Sequence, residues 1–260
     1  MARTRSLFGA PRTAGLAIAL ALTLTISGVA CRAGAPETPT SAPAGSRAVS
    51  FRATDGTKLE GRVFGSGAVG VVLAHMFPAD QRSWWTFAGT LAGEGYRVLT
   101  FDFRGYCPGG VGGCSGTQKA IPKLWEDVVA AAAYLRSAGA TRVMLIGASM
   151  GGTASLIAAA QPEVGASAIV TLSAPTQFEG LSIDGATLQN VEAPKLFVAG
   201  TGDAGAAQAA QQLYDESLGA RRLEIVPAAE HGTALLTGSR GEEVQKLILS
   251  YLAQFRTAPS

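Results

Sequence analysis

From about residue 48 onward, hydrophobic positions fall into two alternating rhythms. Short, nearly unbroken apolar runs occur at 69–74, 97–103, 142–146, 167–172, 195–200 and 223–227. Runs of this length, rich in Val, Ile and Leu, suit strands of a sheet covered on both faces. Between them lie longer stretches, at 84–93, 121–137, 153–160, 205–218 and 242–255, with a shorter one at 183–191. Their apolar residues recur at the spacing of a helix with one buried face. Pro122 falls in the first turn of the second stretch, where a missing N–H costs nothing. Ahead of the alternation, 48–54 and 58–64 flank Asp55-Gly56, a hairpin turn signal. Strands alternating with helices predict an α/β domain with a mostly parallel, doubly wound sheet. No internal repeat is evident, and 260 residues are enough for one such domain with a sizeable core.

The first thirty residues follow neither rhythm. Arg3, Arg5 and Arg12 give a basic start, 14–26 is an apolar run, and Ser27-Gly28-Val29-Ala30-Cys31 closes it. Positive, greasy, then small is the layout of a secretory signal peptide, which assigns 1–31 to export. The apolar run is short for a membrane span and no second span follows it, which favours cleavage over a retained anchor. Residues 32–46 are rich in Ala, Pro, Thr, Ser and Gly. Such a segment buries too little surface to offset its ordering entropy, so it is expected to be a disordered tether to a domain at 47–257.

Charge adds little. The chain has 21 basic and 19 acidic residues, a net +2, and three of the arginines belong to the leader. No basic run points to nucleic acid. Of three cysteines, Cys107 and Cys114 flank a glycine-rich loop flexible enough to bring their sulfurs together, and export favours a disulfide between them. Without neighbouring histidines they make a poor metal site, and no metal or organic cofactor is called for.

The candidate chemistry sits at the carboxyl ends of the predicted strands, where open α/β sheets gather their ligands and catalytic groups. Gly147-Ala148-Ser149-Met150-Gly151 joins the strand at 142–146 to a helix. Thr201-Gly202-Asp203 follows the strand at 195–200, and Glu230-His231-Gly232 follows the last strand. A serine hydroxyl is too weak an acid to ionise near neutrality, so it needs an adjacent base. Histidine is the usual one, and this chain has only His75 and His231. Asp184 rivals Asp203 as the acid, and Glu230 adjoins His231 too closely in sequence to reach its ring.

A serine between glycines on a strand-to-helix turn, followed in order by Asp and His, resembles the α/β-hydrolase fold. From about Val49 to Phe255 the chain is similar to the small dienelactone-hydrolase-like or cutinase-like members. The resemblance implies a serine esterase with Ser149 as nucleophile, His231 as base and Asp203 orienting the ring. It implies an oxyanion hole built from the backbone N–H groups of Met150 and Phe77. His75-Met76-Phe77-Pro78 has methionine where relatives usually have glycine, which leaves Met76 as the alternative second donor, and His75 is read as bracing this loop. Asp102-Phe103-Arg104-Gly105 resembles a family segment in which Arg104 would fix a loop through an ion pair. Trp84, Trp85 and Phe178 are candidates for an acyl pocket, with core packing as the alternative. The segment from 172 to 195 has no room for a large cap domain, so an open site is expected. Ala30-Cys31 resembles a bacterial lipobox, although Gly28 departs from its usual leucine. Lipidation of Cys31 would anchor the exported domain to a membrane, the alternative being a plain secreted form. The expected partner is a small-molecule or polymeric ester, taken by a monomer. Thioesterase and peptidase share this machinery, and a non-catalytic binding module on the same fold is the reading from another class.

Overall fold

The computed structural model describes residues 41–107, 114–116 and 118–257. The leader at 1–31, Cys31 and tether residues 32–40 lie outside the described residues.

The strands are β1 (Ser46–Arg52), β2 (Lys58–Phe64), β3 (Val69–Ala74), β4 (Arg97–Phe101), β5 (Arg142–Ala148), β6 (Ile169–Leu172), β7 (Gln177–Phe178), β8 (Leu181–Ser182), β9 (Lys195–Gly200) and β10 (Arg221–Val226). The helices are α1 (Trp85–Gly93), α2 (Leu124–Ser137), α3 (Met150–Ala159), α4 (Gly185–Gln189), α5 (Ala204–Glu216) and α6 (Gly241–Ala253). Eight strands form one sheet in the order β1-β2-β4-β3-β5-β6-β9-β10. β2 pairs antiparallel with β1 and β4, and the remaining pairs are parallel.

Every residue of β3, β6 and β9 is buried, because helices cover both faces of the sheet. Alternate side chains divide between two cores. Val72, Ala74, Leu145 and Phe197 pack with Leu124, Val128 and Leu135 of α2, Leu156 of α3 and Leu213 of α5. Val71, Leu73, Ile146 and Val198 pack with Trp85, Phe87 and Leu91 of α1 and Val244, Ile248 and Leu252 of α6. Trp84 and Trp85 are fully buried in this second core, so they hold α1 to the sheet and line no pocket.

The hairpin turn forms where the sequence predicts it. Gly56 takes φ +84, and Ala53 N–H donates to the Thr57 carbonyl at 2.9 Å. The strand predicted over 97–103 stops at Phe101. Asp102 and Phe103 remain buried, but the Asp102 carboxylate binds Gln81 and the Phe103 N–H turns to His75. The β7–β8 hairpin was not foreseen, since two residues per strand are too few to show a period. Between β6 and β9 the chain makes only this hairpin and the short α4, so no large cap covers the sheet edge. The structure joins Cys107 and Cys114 in a disulfide, beside the Tyr106–Ser115 bridge.

Arg104 lies just past β4 and ties three elements together. Its Nε and Nη2 donate to the Asp127 carboxylate of α2 at 2.9 and 2.6 Å. Its Nη1 reaches Asp55 in the first hairpin at 2.8 Å, and Nη2 also reaches Glu126 at 3.2 Å. Asp127 is fully buried, and burial pushes its carboxyl pKa up, opposed by the Arg104 bonds. Removing the guanidinium would strand a buried carboxylate, a change that typically costs about 3–5 kcal/mol. Urea unfolding of Arg104→Met should show a loss of that order, and a loss below about 1 kcal/mol would mean that the network carries little.

Candidate active site

The turn from β5 into α3 is set by what its glycines lack. A Cβ on Gly147 would lie 2.3 Å from the Gly151 carbonyl oxygen, and one on Gly151 would lie 2.4 Å from the Ala74 carbonyl oxygen. Only hydrogen at both positions lets α3 start this close to β3. Ser149 between them takes φ 48 and ψ −121, a left-handed conformation that costs a non-glycine residue of order 1–3 kcal/mol. Its N–H donates to the Leu172 carbonyl at 2.8 Å, and its own carbonyl accepts from Gly152 N–H at 2.8 Å. The backbone is thus held from β6 on one side and α3 on the other.

Met150 is the first residue of α3, so its N–H is one of the helix-start donors with no acceptor inside the helix. Its side chain is buried, with the Tyr106 hydroxyl 3.8 Å from Sδ. Phe77 lies on the loop after β3 and is 39% exposed. Its ring packs against Phe178 at 5.6 Å between centroids, whereas the two tryptophans are buried in the core.

Asp203 and His231 come together from the ends of β9 and β10. Nδ1 of His231 lies 2.5 Å from Oδ2 of Asp203. An ionised carboxylate can only accept, so Nδ1 carries the proton and Nε2 is left as the basic atom. The other Asp203 oxygen accepts from Ala206 N–H at the start of α5, at 3.5 Å. The pair is open to water, with 45% of the His231 and 20% of the Asp203 side chain exposed. A Cβ on Gly232 would sit 3.5 Å from the Cβ of Ala148, which places the His231 loop directly against the residue before Ser149. Met76 fills the space on Gly232's other side.

The rivals lie elsewhere. Asp184 caps α4, accepting from Thr187 N–H at 2.7 Å. Glu230 accepts from Ser239 N–H at 2.7 Å and Ala229 N–H at 3.0 Å, and so pins the loop that carries His231.

His75 is fully buried, and its surroundings fix its tautomer. Phe103 N–H donates to Nε2 at 3.1 Å, so Nδ1 must hold the proton that goes to the Met76 carbonyl at 3.0 Å. It braces the loop after β3 and has no lone pair left for a substrate. Burial pushes its pKa down to about 4, against the raising effect of the Met76 carbonyl. A few residues on, Gln81 donates from its backbone N–H and from Nε2 to the two Asp102 oxygens, at 2.9 and 2.5 Å. Burial nonetheless holds the Asp102 pKa up at about 7. Gln81 was not singled out in the sequence, because it belongs to no motif and acts only through partners distant in the chain.

Sheet order, elbow and converging loops together define the α/β-hydrolase fold. Residues 70–192 match the family model described as the alpha/beta hydrolase fold. Among solved structures, the chain is similar to an esterase of Pyrococcus furiosus, at TM-score 0.68 and 19% identity over 82% of this chain and 91% of that one. It is also similar to a dienelactone hydrolase from Anabaena variabilis, at 0.66 and 22% over 81% and 97%. A third is a thermophilic esterase from Thermogutta terrifontis, at 0.66 and 16% over 81% and 100%.

His75 gives this site a pH signature in stability. Its folded pKa lies below the unfolded value near 6.5, so the unfolded chain binds more protons between those pKa values. Stability is therefore lost as pH falls from about 6.5 towards 4, and Asp102, shifted upward, acts in the opposite direction over much of that range. Comparison with His75→Gln isolates the histidine. Between pH 7 and pH 4 the wild type should lose about 3 kcal/mol relative to that variant in chemical unfolding. Parallel pH profiles for the two proteins would contradict a neutral, buried His75.

Proposed function

We propose that this protein is a serine hydrolase that cleaves carboxylic esters through an acyl-enzyme. The observation that carries this reading is the His231–Asp203 hydrogen bond, with the His231–Gly232 loop packed against the residue before a serine in a left-handed elbow. In this reading, Nε2 of His231 takes the Ser149 proton as Oγ attacks the ester carbonyl carbon. The oxyanion accepts from the backbone N–H groups of Met150 and Phe77. The tetrahedral intermediate collapses, and His231 returns the proton to the departing alcohol. Water, activated by the same imidazole, then releases the acid and restores Ser149. Asp203 keeps the proton on Nδ1 and stabilises the imidazolium as it forms. The esterase and dienelactone hydrolase among the similar structures support a hydrolase.

The absence of a large cap and the exposure of the His231–Asp203 pair support an open site suited to accessible or bulky esters, small or polymeric. The leader over 1–31 and the Cys107–Cys114 disulfide support an exported protein, which we place on the membrane through a lipid at Cys31.

A fluorophosphonate probe should label the wild type and leave Ser149→Ala unlabelled. Nitrophenyl ester turnover should vanish in Ser149→Ala and His231→Ala. Asp203→Asn should retain roughly 10⁻⁴ of the wild-type kcat, because it favours the wrong tautomer. Labelling that persists in Ser149→Ala, or an unlabelled wild type, would reject the serine-ester reading. Wild-type rates in Asp203→Asn would move the acid role to another carboxylate.

A further inference from the structure

The carboxyl end of β6 carries two adjacent residues that reach the two halves of the site. The Leu172 carbonyl accepts the Ser149 N–H at 2.8 Å. The next residue, Ser173, accepts the Gly232 N–H on its Oγ at 3.1 Å. Gly232 directly follows the proposed base, so one dipeptide is hydrogen-bonded to the nucleophile residue and to the base loop.

Ser173 is unusual in its own right. It takes φ 55, one of three positive values among the non-glycine residues described, and it is buried. Its N–H is held by the Val198 carbonyl of β9 at 2.8 Å. Holding a non-glycine residue in this region has a conformational cost, and here the conformation aims the hydroxyl away from its own strand at the base loop. Gly232 also has a positive φ, 58, and Met76 closes on its other side. The hydroxyl therefore meets a backbone with little other freedom.

We infer that Ser173 is a positioning residue. Its hydroxyl fixes the His231–Gly232 backbone relative to Ser149, so that β6 sets the separation of base and nucleophile. This rests on the serine-hydrolase reading for its catalytic consequence, though not for the tether itself. Misplacement of a catalytic group by about 1 Å can cost on the order of 10²-fold in rate, while substrate binding that does not use the group is unchanged.

The test compares Ser173→Ala, Ser173→Gly and Ser173→Thr in the full chain. Alanine removes the acceptor and keeps the strained backbone, glycine removes both, and threonine retains a hydroxyl. The readouts are kcat and KM on a nitrophenyl ester, fluorophosphonate labelling rate, melting temperature, and hydrogen exchange at the Gly232 amide. Alanine and glycine should each lower kcat and labelling by about 10- to 100-fold with KM within about 2-fold. Both should speed Gly232 exchange, and threonine should recover most of the loss. Wild-type kcat in folded Ser173→Ala, an equal loss in Ser173→Thr, or Gly232 exchange unchanged in all three would overturn the proposal. Losses matching only the folded fraction would overturn it too. An unlabelled wild type whose Gly232 amide is freed by Ser173→Ala would reject the ester-hydrolase reading while supporting the tether.

Discussion

The site depends first on steric room where β3, β5 and β6 meet the start of α3. A Cβ on Gly147 or Gly151 would overlap backbone carbonyls, and one on Gly152 would lie 2.7 Å from the Cβ of Ala174. A backbone atom cannot swing aside as the end of a long side chain can. These close approaches therefore require hydrogen, and they fix how near α3 starts to the two neighbouring strand ends. The left-handed turn at Ser149 follows from that approach. The hydrophobic cores on the two faces supply the stability that offsets its strain, since each fully buried Leu or Phe contributes about 1.5–3 kcal/mol.

Much of this architecture was legible because it rests on local rules. β2, β3 and β9 fall on the residues that periodicity assigned, and the elbow could be read from glycine spacing. The meeting of Asp203 with His231 was legible because strand ends are few and histidines fewer. The parts that escaped are those decided by distant partners. β4 ends two residues early: the Asp102 N–H still meets the Glu60 carbonyl of β2, but the Phe103 N–H turns to His75, from a different stretch of chain. Trp84 and Trp85 fit a pocket or a core equally well by spacing, and only the packing of α1 against the sheet decides for the core. Nothing in the local sequence marks Ser173 as a left-handed serine, because its conformation answers to Val198 and Gly232.

Several of the buried polar groups gather just past the carboxyl ends of β3 and β4. His75, Asp102 with Gln81, and Arg104 with Asp127 are all buried, and each joins a loop to a strand end, a helix or another loop. Burying such groups costs free energy unless every donor finds an acceptor. That requirement makes them specific: the loop after β3 can satisfy both His75 nitrogens only by holding the Met76 carbonyl and the Phe103 N–H in register. The rigidity that apolar packing gives the sheet is extended to the loops by directional bonds.

That extension matters most for the pair that stands in water. The His231 side chain is nearly half exposed, and the attraction between an imidazolium and a carboxylate there is weakened by solvent and salt. An exposed hydrogen bond of this kind orients a ring, but it does not hold a loop in place. The loop is instead held from within the fold, by Ser173 on the Gly232 N–H, by Glu230 on the Ser239 N–H, and by Met76 against Gly232. An open edge without a large cap leaves the pair accessible and removes the shielding that would strengthen their mutual attraction. The geometry of the His231 ring is then carried by its backbone, with the carboxylate left to choose the tautomer.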